Sequence, residues 1–136
     1  MKVEWKGGMA FEGVGSNGKI LLMDAHADHG GNDLGVSPVE ALLASAAACS
    51  AMDVISILQK KKQVVTKYWI EVSGVRNPPG EFPRPFQSIT IKHFVEGENL
   101  DEVAVARSVQ LSDEKYCTVV STLRAAPEVT SNYEIL

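Results

Sequence analysis

From Ala41 to Leu58 the chain reads ALLASAAACSAMDVISIL, a stretch with no lysine, arginine or glutamate and a single charge, Asp53. Ser37-Pro38-Val39-Glu40 stands in front of it. Serine is a good helix N-cap, proline suits the first helical position, and a glutamate three residues after the serine completes a capping box. The pattern predicts a helix running from this cap to about Lys62, close to 25 residues or roughly 37 Å at 1.5 Å per residue. A surface helix carries an apolar stripe and a polar face, whereas one that is apolar all round must be covered on every side. What can supply that cover is the main constraint on the fold.

The rest of the chain offers strands and one further helical region. The sequence has 136 residues, enough for a single compact domain spanning 1–136. KVEWKGG, MAFEGVG and GKILLMD are short β-type runs set apart by glycine-rich punctuation. They predict two hairpins or a three-stranded meander over Met1–Asp24. AHADHGGNDLG follows as a polar loop. After the long helix, VVTKYWIEVSGVR and FQSITIKHFVEG alternate and are rich in β-branched and aromatic residues, with the proline-rich NPPGEFPRP between them. They predict a long hairpin. Leu100 to Ala126 reads as helix again, with Asn99 as cap and Glu102 three residues on. A break near Leu111-Ser112-Asp113 is expected, with Ser112 capping a second helix that carries Glu114, Tyr116, Cys117, Val120 and Leu123. The tail EVTSNYEIL predicts a last strand. The order βββ, α, ββ, α(α), β is that of an α+β fold.

One sheet of about six strands covers a single side of the long helix, and the second helical region covers part of the rest. A second copy of the chain is the simplest cover for what remains. The small residues Ala44, Ser45, Ala46, Ala47, Ala48, Ser50 and Ala51 would let two helices approach closely, and twofold dimers are common. The expectation is an obligate homodimer with the long helices packed centrally. The competing expectation is a monomer in which the C-terminal helices complete the cover.

A net charge of −4 and a pI near 5.3 give no electrostatic footprint for nucleic acid or for an anionic membrane. The one basic run, Lys60-Lys61-Lys62, suits a solvated helix C-terminus. The N-terminus lacks the apolar segment of a signal peptide. With no uninterrupted run of 18 apolar residues, no membrane span is expected. The expected compartment is the cytoplasm, where disulfides are rare and usually transient or catalytic.

That compartment gives the only two cysteines, Cys49 and Cys117, their interest. A buried cysteine is most often a small hydrophobe. The alternative is a redox pair, in which a thiolate is oxidised to a sulfenic acid and a second thiol condenses with it. Cys49 lies about three turns into its helix, beyond the reach of the N-terminal dipole. Asp53, at i+4 on the same face, opposes a thiolate, so a cation from elsewhere is required. Glu40 is a candidate catalytic carboxylate, but nine residues of helix turn through about 900° and point it away from Cys49, and the capping box already accounts for it. His26 and His29 form an H-x-x-H in a glycine-bearing loop, where metal binding would need at least one more ligand and a defined fold around it, and lone loop histidines are common. The remaining histidine, His93, falls in a strand. No Ser-His-Asp set, phosphate-binding loop or GxGxxG is present.

GVSPVEALLASAAACSAMDVISILQK, FQSITIKHFVEG and LSDEKYCTVVSTL, together with the element order, resemble the OsmC/Ohr family of thiol-dependent hydroperoxide reductases over nearly the whole chain. SPVE, CSAMDVISILQK and LSDEKYC resemble its YhfA-like branch in particular. The resemblance implies an intertwined homodimer in which β-sheets enclose a pair of long central helices, with active sites at the subunit boundary. It matches Cys49 to the family's peroxide-attacking cysteine and Cys117 to its resolving cysteine. It implies organic hydroperoxides as substrate, a small dithiol or lipoylated protein as reductant, and no cofactor. The chain departs from the better-known pattern at three points. No arginine precedes Arg76, Glu40 stands one position later than the usual glutamate, and Thr118 replaces the proline that usually follows the second cysteine. Lys6, or Arg84 in the proline-rich loop, is the candidate replacement cation. The expected function is therefore cysteine-based reduction of organic hydroperoxides through a Cys49–Cys117 disulfide. The alternatives are a non-catalytic binder of apolar molecules or a redox-responsive protein on the same dimer, and a pair of inert core cysteines.

Overall fold

The structure is a computed structural model and describes residues 1–135. It contains two compact units, Met1–Ser45 and the chain from Ala46 onward, with one helix running through both.

In the first unit, β1 (Lys2–Trp5), β2 (Phe11–Val14) and β3 (Ile20–Met23) form an antiparallel sheet in the order β1-β2-β3, the meander alternative of the sequence expectation. Asp24, only 1% exposed, organises the loop that follows. Its carboxylate accepts the backbone N–H groups of Ala25 at 2.8 Å, Asn32 at 2.9 Å and Leu34 at 3.2 Å. These bonds hold its pKa below the ordinary carboxylate value, the Asn32 bond most strongly. Gly31 allows the loop to close this tightly, because a Cβ there would lie 1.7 Å from the Ala25 carbonyl oxygen. The loop ends at the predicted helix start. Both the N–H and the hydroxyl of Ser37 donate to Glu40 Oε2, at 2.8 and 2.7 Å, and the Glu40 N–H donates back to Ser37 Oγ at 3.3 Å.

α1 then runs over Pro38–Lys60. Its buried positions Ala46, Ser50, Val54 and Leu58 fall four apart on one stripe. On another stripe Ala44, Ala48 and Met52 are exposed, Met52 by 69%. Only 33% of its most apolar 18-residue window is buried. Within this chain it is covered along one side, so among the described residues the C-terminal helices do not complete the cover that the monomer expectation required. By length and composition α1 could cross a membrane, a test that the core helix of a soluble protein also passes. Its polar groups Ser50 and Asp53 are both hydrogen-bonded to Ser112.

In the second unit, β4 (Val64–Arg76) and β5 (Phe86–Glu98) form the predicted hairpin. Trp69 and Phe94 stack with ring centres 4.9 Å apart on its outer face, while Tyr68, Ile70, Val72, Ile91 and His93 lie on the inner, less exposed side. Gly97 lets the strands meet beyond the bulge at Val65/Lys67, because a Cβ there would lie 2.0 Å from the Val64 carbonyl oxygen. α2 occupies Glu102–Leu111, and its cap is Asp101 rather than Asn99. Asp101 accepts the Val103 N–H at 3.0 Å, whereas Asn99 takes a left-handed conformation (φ 49°) in the turn that leaves β5. Ser112 is not the N-cap of a second helix; it stands at the C-cap of α2, its N–H donating to the Ser108 and Val109 carbonyls. It opens a π turn over Ser112–Tyr116 that continues α2, and α3 (Thr118–Ala125) is capped by Cys117. The expected last strand is absent among the described residues, where 126–135 have no regular structure. They pair with no sheet edge, and an unpaired strand has nothing to satisfy its backbone.

Candidate active site

Cys49 sits mid-way along α1 and is half-buried, whereas Cys117 is only 2% exposed, and both are free thiols. A π turn closes by an i to i+5 bond, one residue wider than an α turn. Here the Cys117 N–H donates to the Ser112 carbonyl at 2.9 Å. The backbone becomes extended at Cys117 (φ −70°, ψ 100°), and its sulfur accepts the Val120 N–H at 3.5 Å as the cap of α3. Ser112 links the two cysteine-bearing segments, through Ser50 and Asp53 on α1 and through the Cys117 N–H. Burial pushes the Cys117 thiol above its ordinary value, and its contact with the Cys49 thiol and the charge of Asp53 push the same way, against the Val120 N–H.

A chain of hydrogen bonds leads from the hairpin to this corner. The Tyr68 hydroxyl lies 2.6 Å from His93 Nδ1, and His93 Nε2 lies 3.4 Å from Ser50 Oγ. Ser50 Oγ is 3.0 Å from Ser112 Oγ, which donates to Asp53 Oδ2 at 3.1 Å. The acid end fixes the direction of the whole chain. An ionised carboxylate and a carbonyl only accept, so the one hydroxyl hydrogen of Ser112 is taken by Asp53 Oδ2 at 3.1 Å and the Ser50 carbonyl at 3.3 Å rather than by Ser50 Oγ. Ser50 must then donate to Ser112, His93 Nε2–H to Ser50, and Tyr68 to the bare Nδ1. Burial lowers the His93 pKa and raises that of Tyr68 to about 12, and both shifts favour the neutral forms this direction needs.

His93 and Ser50 border a cavity of about 520 Å³ whose other walls include Ile91, Val109, Gln110 and Val120. Asp53 borders a second, of about 380 Å³, together with Lys60, Lys61 and Tyr116. Other candidate residues have different partners. Glu40 is engaged by Ser37 and lies 3.6 Å from His26 Nε2, and the Ser37 bonds hold its pKa below the ordinary value. His26 also lies 2.8 Å from Asp33 through Nδ1. Arg84 belongs to the connection between β4 and β5, where its Nε donates to the Asn77 carbonyl at 2.8 Å and its own carbonyl accepts Arg76 Nε at 2.9 Å. Lys6 faces Glu12 at 3.9 Å.

Residues 30–132 match the family model described as OsmC-like protein. The chain belongs to the OsmC-like family. Protein YhfA of Escherichia coli strain K12 is 39% identical to this OsmC-like chain over 135 residues, which cover 99% of this chain and 96% of YhfA. A crystal structure of a hypothetical protein from Aquifex aeolicus VF5 superposes with a TM-score of 0.75 at 30% identity, covering 92% of this chain and 86% of that one. An organic hydroperoxide resistance protein OsmC from Legionella pneumophila shares the fold at a TM-score of 0.58 and 16% identity, covering 89% of this chain and 91% of that one.

In this OsmC-like chain, sequence reasoning singled out the cysteines and missed Tyr68, His93, Ser50 and Ser112 as a set. Strand alternation carried part of the signal, since it puts Tyr68 and His93 on the inner face. The hairpin register, which pairs His93 with Ile70 and so brings it diagonally next to Tyr68, is not legible in the sequence. Ser112 was misassigned as a cap because serine ahead of a helical run has that meaning far more often than it marks a buried bridge.

Proposed function

We propose that this OsmC-like protein is a thiol-dependent organic hydroperoxide reductase that works as a cytoplasmic homodimer. The observation that carries this reading is that Ser112 joins the two cysteine-bearing segments from distant parts of the chain, its hydroxyl meeting Ser50 and Asp53 beside Cys49 and its carbonyl accepting the Cys117 N–H. The more accessible Cys49, as thiolate, attacks the peroxide, and the O–O bond breaks. With one proton taken up, the products are Cys49 sulfenic acid and an alcohol. Cys117, kept protonated by its surroundings, condenses with the sulfenic acid to give the disulfide and water. A small dithiol or lipoylated protein then reduces the disulfide and is itself oxidised. Lys60 and Lys61 share a cavity with Asp53 and offset its charge, which opposes the Cys49 thiolate.

The homodimer is supported by apolar surface the chain leaves bare. On one face of the first sheet Trp5 is 67% exposed, with Val3, Phe11 and Leu21 exposed beside it, and on α1 Met52 is 69% exposed. Large apolar patches of this kind mark interaction surfaces.

A second reading, an apolar-ligand binder on the same fold, is favoured by the raised Cys117 thiol and by the cavity beside His93, where Ile91, Ala106, Val109 and Val120 supply apolar wall. Turnover separates the two. Reduced protein is incubated with cumene or tert-butyl hydroperoxide and dithiothreitol, and alcohol is measured for wild type and Cys49→Ser. The reductase loses turnover in the variant; equal turnover in both discards the scheme in favour of the binder.

A further inference from the structure

We propose that Ser112 is a positioning residue that seats Cys117 against Cys49, with the chain Tyr68–His93–Ser50 fixing the direction of its hydroxyl. The inference rests on Cys49 and Cys117 forming a disulfide, and concerns how the pair is brought into register. Ser112 is fully buried and is tied at two points to the turn of α1 that carries Cys49. Its hydroxyl meets Ser50, the next residue after Cys49, at 3.0 Å, and Asp53, one turn on, at 3.1 Å. Its carbonyl accepts the Cys117 N–H at 2.9 Å. One side chain and one carbonyl of the same residue therefore link both thiol-bearing segments.

The widened turn makes this linkage possible. In a regular α turn the Ser112 carbonyl would take the N–H of Tyr116; in the π turn it takes that of Cys117. The hydroxyl cannot swing away at no cost, because its hydrogen serves Asp53 and the Ser50 carbonyl and its lone pair receives the Ser50 hydroxyl, whose own lone pair receives His93. Holding two reacting groups in place raises their effective concentration by orders of magnitude, and an error of about 1 Å costs roughly a hundredfold. A buried bridge with every polar atom engaged meets that demand; no side-chain polar atom buried in the described residues lacks a partner.

The test is a thiol–disulfide equilibrium, which needs no peroxide. Full-length protein is equilibrated with glutathione and its disulfide, so that two protein thiols and one glutathione disulfide become one protein disulfide and two glutathiones. The fraction of Cys49–Cys117 disulfide is read by mass spectrometry. Wild type is expected to close, Ser112→Ala to lower the equilibrium constant at least tenfold, and Ser50→Ala, which removes one of the two hydroxyl partners, to lower it about threefold or more. Alkylation of Cys49 in a Cys117→Ser background should proceed at the same rate with and without Ser112→Ala; a faster rate would mean general loosening and overturn the proposal. If wild type closes and Ser112→Ala matches it within twofold, positioning by Ser112 is wrong while the thiol pair stands. If wild type never closes, the redox pair falls and the inference with it. Should Ser112→Ala not fold, Ser50→Ala decides, and an unchanged constant there overturns the proposal.

Discussion

The sulfur of Cys117 accepts the backbone N–H of Val120 at 3.5 Å, which makes a thiol the cap of α3 where a hydroxyl or carboxylate is usual. A donated N–H favours the thiolate; burial and the neighbours Cys49 and Asp53 oppose it, and together they prevail. In its reduced form Cys117 is thus held as the thiol.

The two thiols should therefore label in order. With iodoacetamide at pH 8, Cys49 is modified first and Cys117 lags, because a thiol with a raised pKa yields less thiolate at a given pH and Cys117 is also the more buried. The Cys117 rate should climb only as pH passes above the ordinary thiol value. Peptide mapping of labelled protein over a pH series checks this, and faster labelling of Cys117 at pH 8 would reverse the assignment of roles.

Asp24 should make the fold acid-sensitive. Its folded-state pKa is depressed below 3.8 by three backbone N–H groups. Folding then favours the ionised form, so the stabilisation is complete above the unfolded value and is lost as pH falls through the lower folded one. Asp24→Asn should melt several degrees below wild type at pH 7, with the gap closing below about pH 4, the ordinary aspartate range. Melting curves for both proteins between pH 3 and 7 measure it; a gap that does not change with pH would mean that charge is not what Asp24 contributes.

Ser37→Ala should destabilise the helix start by about 1 kcal/mol, within the 0.5–2 range of such caps. The substitution deletes the hydroxyl bonds to Glu40 Oε2 and from the Glu40 N–H but leaves the Ser37 N–H bond to Glu40. Urea unfolding should show a lower midpoint with an unchanged slope. An unchanged midpoint would show that water replaces the cap at no cost.

Local rules made much of the fold legible. The capping box at Ser37, the punctuation between β1, β2 and β3, and the alternation along β4 and β5 are each set by neighbouring residues. What depended on distant partners was not. Ser112 looks like a cap in a local window and becomes a buried bridge only because Ser50 and Asp53 lie opposite it. Asn99 and Asp101 are both plausible caps, and the turn out of β5 decides between them. The cysteines were legible as candidates; their meeting required the π turn, which no residue spacing announces. The polar chain behind them needed the register of β4 against β5, a property of two strands together.

Because Ser112–Tyr116 is a single over-wide turn, the chain cannot gain or lose a residue there without consequence. One deletion restores regular winding, rotates everything downstream by about 100°, and aims the Cys117 side chain elsewhere. The connection between β4 and β5 carries no such phase. Among relatives that keep the thiol pair, length variation should collect between the strands and spare the stretch from Ser112 to Cys117.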